Sequence, residues 1–151
     1  MLFSYIKSDP ELNYLTTFID SNGSATQEIW AGLAPVTDAV MLDLKVFDNA
    51  KHIELTGKSN SQVKESIRYL AAIGKLYEVR LLLIPGQNDS LAELTATSRW
   101  LMEIDPQIRV KVNAFKSHGV RGKAKNWPNV SESELANYRE ILASSGVVNL
   151  A

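Results

Sequence analysis

Val40-Met41-Leu42-Asp43-Leu44-Lys45 closes an apolar run with an acid and a base two residues apart. In an extended strand that spacing turns both side chains to one face. A carboxylate and an ammonium then stand side by side where the strand ends, a pair suited to the two charges of a zwitterion. A structural ion pair would have the same form. In a parallel strand covered on both faces, however, it would cost several kcal/mol of desolvation, and ligand binding justifies that cost better.

Other apolar runs stop in the same way. Asp20-Ser21-Asn22-Gly23 follows Tyr14–Ile19; Asn-Gly suits a turn by backbone tolerance alone, while Asp20 and the Ser21 hydroxyl could offer oxygens to a cation or an ammonium. Arg80 lies inside Val79–Ile84, either paired with a neighbouring strand's carboxylate or aimed at a substrate. Pro85-Gly86-Gln87-Asn88-Asp89 reads as turn chemistry. Thr56-Gly57-Lys58-Ser59-Asn60 lacks the first glycine and spacing of a phosphate loop and reads as a turn with a helix cap. Lys116-Ser117-His118-Gly119 puts one imidazole at a strand end. The two histidines, His52 and His118, cannot complete a zinc site without carboxylates.

These residues need elements that bring them together. The pattern predicts helix 1–8, strand 14–20, helix 25–33, strand 38–44, helix 60–73, strand 77–84, helix 90–103, strand 108–114, helix 131–144 and strand 147–150. Ser24-x-x-Gln27, Ser90-x-x-Glu93 and Ser131-x-x-Glu134 match the capping box, Asn60 or Ser59 caps another helix, and Gly74 and Gly146 stop two. Near-continuous apolar strands separated by helices imply an α/β fold of repeating βα units around a parallel sheet of about five strands. Strand C-termini then open on one side, where ligands bind. Five strands are too few to close a barrel of eight. The sheet is therefore open or is the later part of a larger barrel, and the abrupt helical start favours the second. Residues 116–130 form a long loop over the mouth of the site.

The 151 residues make one domain, 1–151, with net charge −1 and a sequence pI near 6.1. That balance points away from nucleic acid and membrane surfaces, although Lys111, Lys116, Arg121, Lys123 and Lys125 gather in one stretch. No apolar run approaches the ~20 residues of a membrane span, and the first residues do not form a signal peptide, so the expected location is cytoplasmic. The absence of cysteine removes disulfides, thiolate nucleophiles and thiolate-held iron–sulfur clusters from this chain.

In order, Asp20–Gly23, Val40–Lys45, His52–Asn60, Arg80–Asp89 and Asn113–Gly119 resemble the C-terminal part of the glycyl-radical-enzyme activating enzymes. That family is typified by pyruvate formate-lyase activating enzyme, within the radical S-adenosylmethionine superfamily. The resemblance covers nearly the whole chain, and Val40–Lys45 with Arg80–Asp89 at their spacing is its most specific part. It implies the later βα units of a partial (β/α) barrel. It further implies that S-adenosylmethionine (SAM), held at the barrel top on a 4Fe-4S cluster, is cleaved reductively to abstract hydrogen from a glycine of a partner glycyl radical enzyme. A flavodoxin-type or other low-potential reductant would supply the electron. Carried over residue by residue, Asp20, Ser21 and the Met41 backbone surround a monovalent cation beside SAM. Asp43 and Lys45 hold its amino-acid end, Arg80 and Leu82 line the adenosyl and substrate side, and Lys116 or His118 contacts the adenine.

The family's three-cysteine motif and its Gly-Gly-Glu-Pro-like segment do not occur here, so the resemblance makes this chain a fragment that supplies SAM and substrate contacts only. Where the family has Pro-Tyr-His, Lys116 aligns with the histidine and His118 lies two residues on. The residues leave two other readings open: a lyase with Lys45 as Schiff-base nucleophile and Asp43 assisting, and a non-catalytic module docking through a sheet edge. An unpaired edge at strand 14–20 would also favour self-association.

Overall fold

A computed structural model describes residues 2–151. Five parallel strands lie side by side in sequence order: β1 Phe18–Ser21, β2 Ala39–Leu44, β3 Leu76–Leu83, β4 Arg109–Ala114 and β5 Asn149–Leu150. Helices α1 Leu2–Ser8, α2 Gln27–Leu33, α3 Asn49–Thr56, α4 Ser61–Ala72, α5 Leu91–Ile104 and α6 Glu132–Ser144 alternate with them. Parallel neighbours joined in sequence by right-handed crossovers place their helices on the same face. α4 packs on β2 and β3, and α6 packs on β4. This is the architecture of later βα units of a (β/α) barrel, with β1 and β5 as sheet edges among the described residues.

Alternation sorts each strand into two faces. Val40, Leu42 and Leu44 of β2, Val79, Leu81 and Leu83 of β3, and Val110 and Val112 of β4 are buried on the helix side with Ile67, Leu70, Leu101 and Leu142. The register carries Asp20, Met41 and Glu78 in one row and Asp43, Arg80 and Lys111 in the next, on the opposite face. Of these, Asp20 and Lys111 are exposed and Met41, Asp43 and Arg80 half-buried. The strands are thus not covered evenly on both faces, as their composition predicts. Apolar residues supply one face, and the other carries the charge.

Boundaries differ from the sequence reading in three informative places. β1 starts at Phe18 rather than residue 14, because Tyr14 and Leu15 lie exposed ahead of it. α3 has no counterpart in the reading: it buries only His52 and so shows no apolar stripe, yet Asp48 caps it and Gly57 ends it at φ 76°. The long loop 116–130 carries a 3₁₀ turn at Gly122–Asn126.

The caps also sort themselves out. Ser131 and Glu134 form the full reciprocal box. Ser90 accepts from the Glu93 N–H, but the Glu93 carboxylate reaches instead to the Phe47 and Asp48 N–H groups at 2.5 and 3.0 Å, just ahead of α3. Thr26, not Ser24, caps α2. Asn60 precedes α4 without capping it through its side chain.

Candidate functional site

The β1–α2 turn is held from below. Gly23 has φ 73°, which strains any residue with a Cβ, and a Cβ there would also press on Val63 Cγ1 of α4 at 3.1 Å. Buried Ser66 of α4 accepts from Trp30 Nε1 at 2.8 Å and donates toward the Gly23 and Ala25 carbonyls. The ends of β2 and β3 are clamped by Asn88, which is fully buried. Its amide donates to the Lys45 and Leu82 carbonyls, both at 2.6 Å, and its Oδ1 accepts from the Ile84 N–H. Asp89 beside it accepts from the Gly86 N–H and the Tyr138 hydroxyl.

These supports open a cavity of about 190 Å³ at the strand C-termini. Asn22 and Ser24 line it from the β1–α2 turn, Asp43 and Lys45 from β2, His52 and Thr56 from α3, and Lys58 and Ser59 from the loop after it. Lys45 Nζ lies 3.2 Å from Asp43 Oδ2, each side chain about one-third exposed. The pair therefore avoids the heavy desolvation that a closed layer would impose, and a ligand can reach both charges. A roomier groove of about 440 Å³, lined by Met102, Pro106 and Val148, lies at the opposite end of the strands, away from where parallel sheets bind ligands.

Beside the cavity an ionic chain crosses the charged face. Arg80 Nη1 meets Asp20 Oδ2 at 2.6 Å and Arg80 Nε meets Glu78 Oε1 at 3.0 Å; Arg109 Nε meets Glu78 Oε2 at 2.9 Å. Arg80 Nη2 also contacts the Met41 sulfur. Burial alone would push the Glu78 carboxyl up, but hydrogen bonds from Arg80 and Arg109 outweigh it and hold the group below its ordinary range. Arg80 is thus not the lone cation its strand suggests. It pairs with carboxylates of its own strand and of β1 while staying on the face predicted for a substrate contact.

Asp20, Met41, Asp43, Lys45, Arg80 and Leu82 lie on or at the end of one face. Ser21 points the other way by alternation, and its hydroxyl accepts from the Gly23 N–H. Lys116 donates to the Val130 carbonyl, and His118 is exposed; neither lines the cavity. Sequence reasoning passed over Ser66 and read Asn88 and the Thr56–Ser59 wall as turns with a cap. No group of three or more His, Asp or Glu side chains that could hold a metal occurs among the described residues, and none of their helices is long and apolar enough to cross a membrane.

No family model matches the chain. It is 32% identical over 90 residues to the pyruvate formate-lyase-activating enzyme of Staphylococcus epidermidis, covering 60% of this chain and 36% of that protein. To the enzyme of the same name from Staphylococcus aureus strain USA300 it is 30% identical over 96 residues, 64% of this chain and 38% of the other. The chain spans under two-fifths of the length of these relatives. Among solved structures, a domain of pyruvate-formate lyase-activating enzyme from Bacteroides vulgatus superposes with TM-score 0.77 at 17% identity, over 99% of this chain and 88% of that one. A radical SAM methyltransferase from Sphaerobacter thermophilus gives 0.76 at 16%, over 98% and 44%. The chain shares its fold with both of these proteins. The resemblance seen in the motifs is carried by identity and by shape, and the C-terminal part of such an enzyme fits.

Proposed function

We propose that this chain is the C-terminal part of a glycyl-radical-enzyme activating enzyme and supplies contacts to SAM and to the protein substrate. The observation that carries this reading is the Asp43–Lys45 pair on the wall of the strand-end cavity. At about 190 Å³ the cavity falls below the roughly 300 Å³ at which pockets for whole small molecules begin. It suits one end of a larger ligand, and its charges suit the amino-acid end. Asp43 would accept from the ammonium and Lys45 would donate to the carboxylate. Along the same face, Arg80 and Leu82 would meet the adenosyl and substrate side, with Asp20 and the Met41 carbonyl toward a monovalent cation.

In that family, SAM bound on an iron–sulfur cluster supplies hydrogen abstraction from a glycine of the partner enzyme. This chain has no cysteine, so its own residues would bind and orient rather than ligate the cluster. A low-potential reductant of the flavodoxin type would serve the whole enzyme. The Schiff-base reading of Lys45 has less support, because Lys45 faces a carboxylate at 3.2 Å instead of the apolar pocket or cationic neighbour that activates such amines.

Titration calorimetry of the protein with SAM tests the reading. Asp43→Asn and Lys45→Met should each weaken binding at least about tenfold, the loss of one charge-assisted hydrogen bond. Affinity unchanged in both variants would overturn it.

A further inference from the structure

α3 and the loop after it hold polar side chains in unusual depth for a surface turn. Asn60 is 1% exposed and His52 6%. The Asn60 amide donates to the Val46 and Phe47 carbonyls, and Asn49 Oδ1 accepts from the Ser59 hydroxyl and the Asn60 N–H. His52 Nδ1 lies 2.7 Å from the Lys58 carbonyl and 3.1 Å from Thr56 Oγ1. A carbonyl oxygen can only accept, so Nδ1 carries a proton and, in the neutral ring, Nε2 keeps its lone pair. Nε2 has no hydrogen-bond partner among the described residues. Nor is it fully buried: among the described residues the side-chain atom both buried and without a partner is Thr37 Oγ1, ahead of β2. His52 itself lines the cavity that holds Asp43 and Lys45.

We propose that His52 is a positioning residue for the ligand of this cavity: Nδ1–H pins the Lys58 carbonyl and so fixes the Gly57–Ser59 wall, while Nε2 faces the cavity as an acceptor for an ammonium-bearing ligand. The assignment rests on the SAM reading for the ligand and on the hydrogen bonds above for the wall. It gives the buried imidazole two tasks on its two nitrogens, and these can be separated. Asparagine places an amide N–H near the Nδ1 position but offers nothing at Nε2; alanine removes both.

Two-bond proton–nitrogen correlation spectra of ¹⁵N-histidine-labelled protein, with SAM as the probe, test this directly. The free protein should show the Nδ1–H tautomer of His52, and added SAM should move the Nε2 resonance. His52→Asn should leave the ¹³C shift of the Lys58 carbonyl close to the parent's while weakening SAM binding about three- to tenfold, the range of one hydrogen bond. His52→Ala should lose both. An Nε2–H tautomer in the free protein, or His52→Asn binding SAM like the parent with no Nε2 shift in the parent, overturns the proposal even where SAM binds. A parent protein that binds no SAM overturns the site reading together with the Nε2 role, whereas the tautomer and the Lys58 carbonyl shift judge the wall separately.

Discussion

Two buried polar residues, Asn88 and Glu78, set the geometry of the charged face. Asn88 satisfies three backbone groups at the ends of β2 and β3, and each loses that partner if the amide is removed, the Ile84 N–H in a buried position. Asn88→Ala should cost about 2–4 kcal/mol, read as a fall in denaturation midpoint with an unchanged slope. Glu78 bridges Arg80 and Arg109 with a side chain only 4% exposed. Glu78→Gln keeps the shape and removes the charge. It should cost about 2 kcal/mol and leave Asp20 as the charged partner of Arg80, which a double-mutant cycle with Asp20→Asn resolves as coupling. Acid sensitivity belongs to a third residue. Lys7, then the Thr17 N–H, hold the Asp38 carboxyl down at about 2 against an ordinary 3.8. A depressed carboxylate stabilises above its unfolded value and loses that contribution as pH falls through the folded one. The tie from α1 to the start of β2 should therefore loosen between pH about 4 and 2, and Asp38→Asn should flatten that step in amide exchange.

Among the elements, α3 is tied at its start by a distant side chain. Glu93 of α5 accepts the N–H groups of Phe47 and Asp48 from across the fold. Glu93→Ala should raise amide exchange throughout Asn49–Thr56 while leaving α5, which keeps its Ser90 cap, protected. Equal loss in both helices would show that the link is not specific. This dependence also explains what could be read in advance. The Asp43–Lys45 pair was legible because strand alternation is local, and α4, α5 and α6 were legible from caps and apolar spacing. α3 was not, since it carries no apolar stripe and the carboxylate that ties its start lies some forty-five residues away. The roles of Asn88 and Ser66 were hidden for the same reason. Asn88 reads as part of a turn and Ser66 as one more polar helix position, and only tertiary partners reveal them as buried clamps. The two-sided burial expected of parallel strands failed because apolar composition reports how much surface is covered, not which face.

For the whole molecule, β1 lies at a sheet edge with Phe18 and, across the face, Tyr77 in edge-to-face contact at 5.2 Å, both well exposed. An edge strand beside exposed aromatic surface favours association, so sedimentation should show a concentration-dependent species above the monomer. Phe18→Lys should suppress it without changing the midpoint of unfolding by more than a few tenths of a kcal/mol; a strict monomer at all concentrations would count against a sticky edge. Anaerobic iron–sulfide reconstitution of the 151-residue protein should yield no stable cluster signal by absorbance or paramagnetic resonance, because no thiolate is present to hold one.

The even-numbered residues of β2 face the helices and the odd-numbered ones the charged side, so instructions for folding and for chemistry are interleaved letter by letter. Substitutions can alter one set and leave the other intact: Met41 or Asp43 can change while Val40, Leu42 and Leu44 go on filling the core. Insertions have no such freedom. One extra residue within β2 would exchange the two sets, driving Asp43 and Lys45 toward the apolar layer and turning Leu42 or Leu44 outward. Such a strand can diverge widely in spelling but hardly at all in length, and new specificities on this scaffold would arise by point changes on alternate positions.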